Sequence, residues 1–208
     1  YLQALIQKGL SNNTDMRTAH FRVEQAEAAL SIARLSFAPS FNIPLQGVLS
    51  SFDGGTPVKT YSLPLTASWE IDVFGRLRNA KKKAKAAYEQ SNEYKQAVRT
   101  GLISAVANSY YTLLFLDNQL EVSEETARNW KANVETMREL KKAGMANEAA
   151  VSQSEANYFS IEASLYDLRY QIFEMENSIA LLLGEAPHAI KRGKLDEQNL
   201  PDNLSVGV

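Results

Sequence analysis

The chain has 208 residues, of which 45% are hydrophobic and 22% charged, a composition typical of folded proteins. Its 22 basic and 24 acidic residues nearly cancel, which argues against general nucleic-acid binding because that affinity depends on neutralising phosphates. Cysteine is absent from the sequence, so disulfides, thiolate chemistry and cysteine-ligated zinc are excluded.

Residues 1–37 predict a short helix followed by a longer one. The short amphipathic segment is expected to close at Gly9, and Asn13 or Thr14 can then cap the next helix. We expect that second helix to end near Phe37, before Pro39. Its small and apolar residues recur at coiled-coil spacing: Met16, Ala19, Val23, Ala26, Leu30 and Ala33.

Residues 38–75 predict an antiparallel β-hairpin. Two runs, 41–51 and 61–73, alternate between apolar residues and polar residues or proline, which is the period of a strand with two different faces. The segment 53–57 between them is rich in glycine, as hairpin turns are. One proline in each run weakens this prediction because it removes a hydrogen bond between strands.

The predicted hairpin has one apolar face. A turn centred near Gly55 would pair Phe41 with Trp69 and Leu49 with Tyr61. Tyr61 and Trp69 lie about 26 Å apart along the strand, close to the height of a lipid-facing band with aromatic edges. By periodicity alone, a hairpin covering a soluble core is the commoner structure. The apolar face comprises Phe41, Ile43, Leu45, Leu49, Tyr61, Leu63, Leu65 and Trp69.

Residues 76–184 predict a long helical hairpin. From Asn79 the sequence shows no strong break until Gly144, about 65 residues or roughly 97 Å of helix. Its stripe of small and apolar residues is first Ala80, Ala84, Ala87, Ser91, Tyr94, Val98, Gly101 and Ala105. Further along it becomes Leu113, Leu116, Leu120, Ser123, Ala127, Trp130, Val134 and Met137.

A tight turn is predicted near residues 141–149, with Gly144 as the C-cap and Asn147 as the next N-cap. The returning helix is about 37 residues long and ends at Gly184 and Pro187. Residues 185–208 are polar and predict a linker. The seam of the returning helix is Val151, Ser154, Tyr158, Ile161, Leu165, Leu168, Ile172, Met175, Ile179 and Leu182.

Few residues in the sequence suggest catalysis or ligand binding. Glu70 and Asp72, two positions apart, are expected on one strand face; we interpret them as facing water rather than as catalytic acids, because no cleft-forming partner element is evident. His20 and His188 lie on separate segments, which favours solvated roles over a metal site. A dense basic patch is either a solvated first helical turn or a membrane-surface contact. It comprises Arg76, Arg78, Lys81, Lys82, Lys83 and Lys85.

The run SWEIDVFGRLRNAKKKAKAAY at residues 68–88 resembles the strand-to-helix junction of TolC-like outer membrane efflux channels. Residues 12–28 resemble the opening helix of that family, and residues 179–187 resemble its closing pattern. The matching junction residues are Glu70, Asp72, Phe74, Gly75 and Arg76. At the predicted turn, Gly144, Val151 and Gln153 also match, whereas Asn147 replaces the usual serine and Ala150 the usual aspartate.

The resemblance implies a mainly α chain with a small β part. A long antiparallel coiled-coil hairpin joins a two-stranded amphipathic β-hairpin that contributes to a transmembrane barrel in the full assembly. The match covers one of the family's two tandem repeats, so we expect an N-terminal half of a longer protein; a six-fold assembly of half-length chains is the alternative. The implied docking tip for an adaptor is Lys141, Lys142, Ala143, Gly144, Met145, Ala146, Asn147 and Glu148.

The resemblance also implies a function. It predicts a homotrimeric, non-enzymatic exit channel in the outer membrane of a Gram-negative bacterium, without cofactor, metal or nucleic acid. Its partners would be outer membrane lipid, a periplasmic adaptor and an inner-membrane pump. The alternative hypothesis is a soluble periplasmic coiled-coil scaffold or adaptor, although the lipoyl-like β halves expected of an adaptor are not visible.

Overall fold

The structure, a computed structural model, describes residues 1–50 and 58–198. It confirms a mainly helical chain with a small β part. The helices are α1 Leu2–Asn12, α2 Thr14–Leu35, α3 Arg76–Lys142 and α4 Glu148–Leu182. The strands are β1 Ser40–Asn42, β2 Gln46–Ser50, β3 Val58–Ser62 and β4 Thr66–Ser68, and a 3₁₀ turn follows at Leu195–Glu197.

The chain divides into two compact units. One contains residues 18–96, and the other contains residues 1–17 together with residues from 97 onward. Helices α2 and α3 contribute to both units. The division predicted from the sequence, 1–37, 38–75, 76–184 and 185–208, follows secondary-structure elements and stays a prediction.

Within the unit 18–96, α2 packs beside the first part of α3. The guanidinium of Arg22 lies 5.2 Å from the centre of the Tyr94 ring, and Lys95 Nζ lies 3.4 Å from His20 Nδ1. The predicted α2 seam is confirmed, because all six of its residues from Met16 to Ala33 are buried or partly buried. His20 is exposed, in agreement with the solvated role expected for it.

The hairpin is antiparallel, but the predicted register is wrong by two residues. Phe41 pairs with Ala67, and Leu49 pairs with Lys59. A shift of two keeps each side chain on its predicted face, because the side-chain period of a strand is also two. The predicted turn at 53–57 lies outside the described residues.

Each predicted long strand is divided into two short ones. β1 pairs only with β4, and β2 pairs only with β3. The offset common to both pairs places Pro44 opposite Pro64, so the missing N–H groups of both prolines fall in one gap. The second strand also ends at Ser68 instead of continuing to Val73.

The core of the other unit lies among α1, α3, α4 and the segment after α4. It contains Leu113, Leu116, Leu168, Ile172, Ile179, Leu183 and Ile190. The predicted seams of 113–137 and 151–182 are confirmed as buried or partly buried throughout. Half of the earlier α3 stripe is wrong. Ala84, Ser91, Val98 and Ala105 are partly buried, but Ala80, Ala87, Tyr94 and Gly101 are exposed, and near the end of the stripe the buried residues are Leu102 and Val106.

Helix α1 does not close at Gly9 as predicted. Gly9 is buried inside the helix, and a Cβ atom there would lie 3.6 Å from Leu183 Cδ2 and 3.8 Å from Val106 Cγ2. Gly9 therefore lies in a packed part of α1 and does not terminate it. Across the described parts of the chain, no helix combines the length and the apolar character needed to cross a membrane.

Candidate functional site

The first candidate site is the junction between β4 and α3. Gly75 has a φ of 76°, a left-handed conformation that glycine adopts without a side-chain penalty. It immediately precedes α3 and has no side chain to cap the helix. Asp72 supplies the cap instead: its carboxylate accepts hydrogen bonds from the backbone N–H of Leu77 at 3.1 Å and of Arg78 at 2.9 Å.

The electrostatics of the junction hold Asp72 ionised. Burial by itself would raise the pKa of Asp72, but hydrogen bonds from the backbone of Arg78 and Leu77, together with the Arg78 side chain, outweigh it. The pKa of Asp72 therefore lies below its usual value. An ionised carboxylate also suits the N-terminus of a helix, where the backbone dipoles place partial positive charge.

The expectation that Glu70 and Asp72 share one strand face is wrong. Residues 69–75 follow β4 and are not part of a strand, because both carboxylates bond to the start of α3. Arg76 donates from Nε to Glu70 Oε1 at 3.0 Å and also pairs through Nη2 with Oε2. Each acidic residue of the junction thus has a structural partner at the start of α3.

Phe74 and the basic patch lie next to this cap. The side chain of Phe74 is 97% exposed, and all six cations predicted as the patch are exposed. Arg76 and Arg78 are held by the junction carboxylates. The junction therefore combines a fixed backbone with an exposed aromatic residue and exposed positive charge.

The second candidate site is the turn between α3 and α4. Gly144 has a φ of 76° and donates to Lys141 O at 3.0 Å, while Met145 N donates to Leu140 O at 2.8 Å. These two bonds form a Schellman motif, which satisfies the last carbonyl groups of α3. Asn147 accepts a hydrogen bond from Ala150 N at 2.9 Å, so the predicted C-cap and N-cap are both confirmed.

The eight predicted tip residues, 141–148, are contiguous in this turn, and the turn carries both charge and exposed small residues. Lys141 pairs with Glu148 across the turn, and Arg138 Nη2 lies 2.7 Å from Glu155 Oε1. A cleft of about 540 Å³ lies among these charged side chains. The Met145 side chain is 77% exposed, so the turn offers one large apolar group to a partner.

The apolar face of the hairpin is exposed along its whole length. The eight residues predicted to face lipid are between 58% and 78% exposed. Since an apolar surface of this extent is normally covered, the face is a third candidate interaction surface.

Sequence reasoning missed a charged cluster after α4. Arg192 donates through Nη2 to Asp117 Oδ1 at 2.9 Å and pairs through Nη1 with Glu176. Its side chain is 19% exposed, and Ile190 beside it is buried in the core. The partners lie 75 and 16 positions from Arg192 in sequence, so no local pattern could have revealed them.

Asn13 also does more than the predicted capping. Its Oδ1 accepts hydrogen bonds from Asp15 N at 2.9 Å and Met16 N at 3.0 Å, which cap α2. Its Nδ2 donates to Leu182 O at 3.0 Å, so the same side chain connects the start of α2 to the end of α4.

Among the residues that the structure describes, no group of three or more His, Asp or Glu side chains is arranged to hold a metal ion.

Comparison with known proteins defines the class to which this fold and junction belong. A family model described as "Outer membrane efflux protein" matches residues 5–185. The chain therefore belongs to the outer membrane efflux protein family. This confirms the resemblance first indicated by the junction and turn motifs.

Two curated relatives are similar over nearly all of the chain. The probable outer membrane lipoprotein SilC of Salmonella typhimurium is 28% identical over 98% of this chain and 46% of that protein. The cation efflux system protein CusC of Escherichia coli strain K12 is 29% identical over 100% of this chain and 47% of that protein. The chain spans about half the length of these curated relatives.

A solved structure of CusC is similar in fold, with a TM-score of 0.83 and 27% identity over 98% of this chain and 49% of that chain. The relatives are efflux and channel proteins of the outer membrane. These similarities support the channel hypothesis over the soluble scaffold or adaptor alternative.

Proposed function

We propose that this chain is part of an outer membrane channel that serves an efflux pump as a passive, non-enzymatic exit duct for drugs, metals or other small molecules. The observation that carries the proposal is the exposed apolar face of the β-hairpin in a chain of this family. We further propose that the complete protein is a homotrimer that engages a periplasmic adaptor and an inner-membrane pump.

The two faces of the hairpin support a placement in lipid. On one side, apolar residues pair with apolar or small residues, as Phe41 does with Ala67, except that Leu49 pairs with Lys59. Polar residues pair on the other side, as with Asn42 and Thr66. Such alternation suits a strand with lipid on one face and water on the other. Odd-numbered strand residues would contact lipid, and even-numbered ones would line the duct.

Neighbouring residues on opposite faces give a direct test. In the full-length protein, Leu65→Arg should prevent stable assembly, because a lipid-facing cation near the bilayer midplane costs about 2 to 4 kcal/mol. Thr66→Arg, one position further and on the opposite face, should assemble normally. The measurement is the yield of trimer extracted from outer membranes. Equal yields of the two variants would contradict the proposed facing.

The tip residues 141–148 are proposed as the adaptor-docking surface. Ala143, Gly144 and Ala146 keep this turn slim, and the motif around Gly144 fixes its backbone. Most neighbouring charges are paired within the chain, as in Lys141 with Glu148. Contact with a partner would therefore depend on shape and on the exposed Met145 more than on charge.

Ala146→Trp should leave the trimer intact while abolishing efflux and cross-linking to the adaptor. Because Ala146 is partly buried, the more exposed Met145→Asp serves as a second variant with less risk to folding. Asn129→Asp, an exposed substitution elsewhere on α3, adds the same single negative charge and is the control. Wild-type drug resistance in both tip variants would place docking elsewhere.

A further inference from the structure

The first ten residues of α3 have an unfavourable charge distribution for a helix start. Six of them are cationic, and the first turn contains no acidic residue. Helix N-termini favour negative charge because the backbone dipoles leave partial positive charge there. The carboxylates of Glu70 and Asp72 offset two of these cations, Arg76 and Arg78, and an anion outside the chain would offset more of them.

Four of the six cations have partners within the chain. Arg76 pairs with Glu70, Arg78 with Asp72, and Lys85 Nζ lies 3.4 Å from Glu89 Oε1. Lys81 Nζ lies 5.9 Å from the centre of the Phe37 ring. In the part of the chain that the structure describes, this leaves Lys82 and Lys83 as the two patch cations without a partner.

Lys82 and Lys83 lie on the side of α3 that faces away from its buried stripe. Leu77 is buried, and Ala84 and Tyr88 are partly buried, which defines the packed side of this part of the helix. At about 100° per residue, Lys82 and Lys83 are rotated by roughly 120° to 140° from Leu77. Both ammonium groups are therefore available to a partner outside the chain.

Exposed apolar side chains immediately precede this patch. Trp69, Ile71, Val73 and Phe74 are all at least 66% exposed. A cluster of aliphatic and aromatic groups next to cations is the chemistry by which proteins bind at the surface of an anionic bilayer. A nucleic acid would find aromatic groups to stack on here, but no role for Ile71 and Val73.

We propose that this surface, residues 69–83, binds anionic phospholipid. This proposal depends on the proposed placement of the hairpin in the outer membrane. Phe74 enters the acyl boundary, while Lys82 and Lys83 contact headgroup phosphates. Lys82 follows Arg76 by about 9 Å of helix rise, similar to a headgroup layer of about 5 to 8 Å. The lipid thus supplies the anionic partners that Lys82 and Lys83 lack in the described part of the chain.

The test is a lipid titration of the full-length protein purified in detergent. Phosphatidylglycerol should raise the melting temperature of the trimer, whereas zwitterionic phosphatidylcholine should raise it much less. In the double variant Lys82→Ala with Lys83→Ala, the half-saturating phosphatidylglycerol concentration should increase by about twenty-five-fold, which is roughly fivefold for each lysine near an anionic surface. The matched control is Arg128→Ala with Lys131→Ala, which removes the same charge from exposed positions of the same helix.

The outcomes distinguish specific binding of phospholipid at Lys82 and Lys83 from a general effect of net charge. Equal losses in the double variant and the control would overturn the proposal, as would an equal stabilisation of the wild type by inorganic phosphate or by a short oligonucleotide. Failure of the proposed function would look different: wild-type protein would be absent from outer membranes whatever its response to lipid.

The apolar half of the surface has its own measurement. A Phe74→Cys variant labelled with an environment-sensitive dye and reconstituted into vesicles should be quenched by brominated phospholipid. The matched label at Gln90→Cys, an exposed position about four turns into α3, should not be quenched. Equal quenching at both positions, or none at Phe74→Cys, would contradict the insertion of Phe74.

Discussion

The turn before α4 and the turn after it have the same backbone motif, but one is open to solvent and the other is packed against α1. At the tip, Gly144 has a φ of 76° and follows α3; at the other end, Gly184 has a φ of 69° and follows α4. Gly184 N donates to Leu181 O at 3.0 Å, and Glu185 N donates to Ala180 O at 2.9 Å. These bonds repeat the Schellman pattern of the tip.

The neighbours of the two glycines differ. A Cβ atom on Gly144 would meet nothing within 4 Å, whereas one on Gly184 would lie 2.7 Å from the backbone oxygen of Asn12. After Gly184 the chain continues into the core through Ile190 and is fixed by Arg192. After Gly144 it continues into an exposed turn. One turn is thus packed closely against the end of α1, and the other is free to contact a partner.

The largest expected difference is between alanine substitutions of the two glycines. Gly144→Ala should cost about 1 to 2 kcal/mol, the penalty of a side chain in the left-handed conformation. Gly184→Ala should cost about 2 to 5 kcal/mol, since overpacking against Asn12 adds about 1 to 3 kcal/mol. Chemical denaturation of the full-length protein measures both. Similar losses at the two sites would show that the close approach of Asn12 is not rigid.

The next difference is between two arginines with carboxylate partners. Arg192→Ala should destabilise the protein by about 1 to 3 kcal/mol, because it leaves the partly buried Asp117 and Glu176 without their cation. Arg138→Ala at the tip breaks an exposed pair with Glu155 and should cost about 0 to 1 kcal/mol. Thermal unfolding of both variants at 0.1 M and 1 M salt provides the comparison. A larger loss of thermal stability for Arg138→Ala than for Arg192→Ala would contradict the view that Arg192 matters more for stability than the tip residues do.

The smallest expected effect concerns the helix caps and depends on pH. Asp72 caps α3 with a carboxylate, whereas Asn147 caps α4 with an amide that does not titrate. Because the folded-state pKa of Asp72 is lowered, its stabilisation is fully present above its unfolded pKa of about 3.9. That stabilisation is lost as the pH falls through the lower folded-state value.

Melting temperatures measured from pH 6 down to pH 3 test this sign. The deficit of Asp72→Asn relative to wild type should shrink below about pH 4, while the deficit of Asn147→Ala should stay constant. A deficit of Asp72→Asn that grows on acidification would mean that the cap does not require an ionised carboxylate.

The sequence by itself determined the four helices, the seams of α2, of residues 113–137 and of α4, and both caps of the tip. These features depend on residues three or four positions apart, such as Gly144 with Asn147, and such local patterns are readable without a structure. The family was also readable, because the junction motif from Glu70 to Arg76 is contiguous. The structural roles of the junction residues were not readable, because the sequence placed Glu70 and Asp72 on a strand, whereas both bond to the start of α3.

The tertiary structure decided which residues meet across long stretches of chain. It placed Pro44 opposite Pro64, which divides the hairpin, and it brought Arg192 to Asp117 across 75 positions. It also made Gly184 a site of close packing and left Gly144 open, although both have the same local motif. The physical reason is that secondary structure follows from hydrogen bonds and side-chain periods along one segment, whereas crowding and ion pairing depend on which distant segments the fold brings into contact.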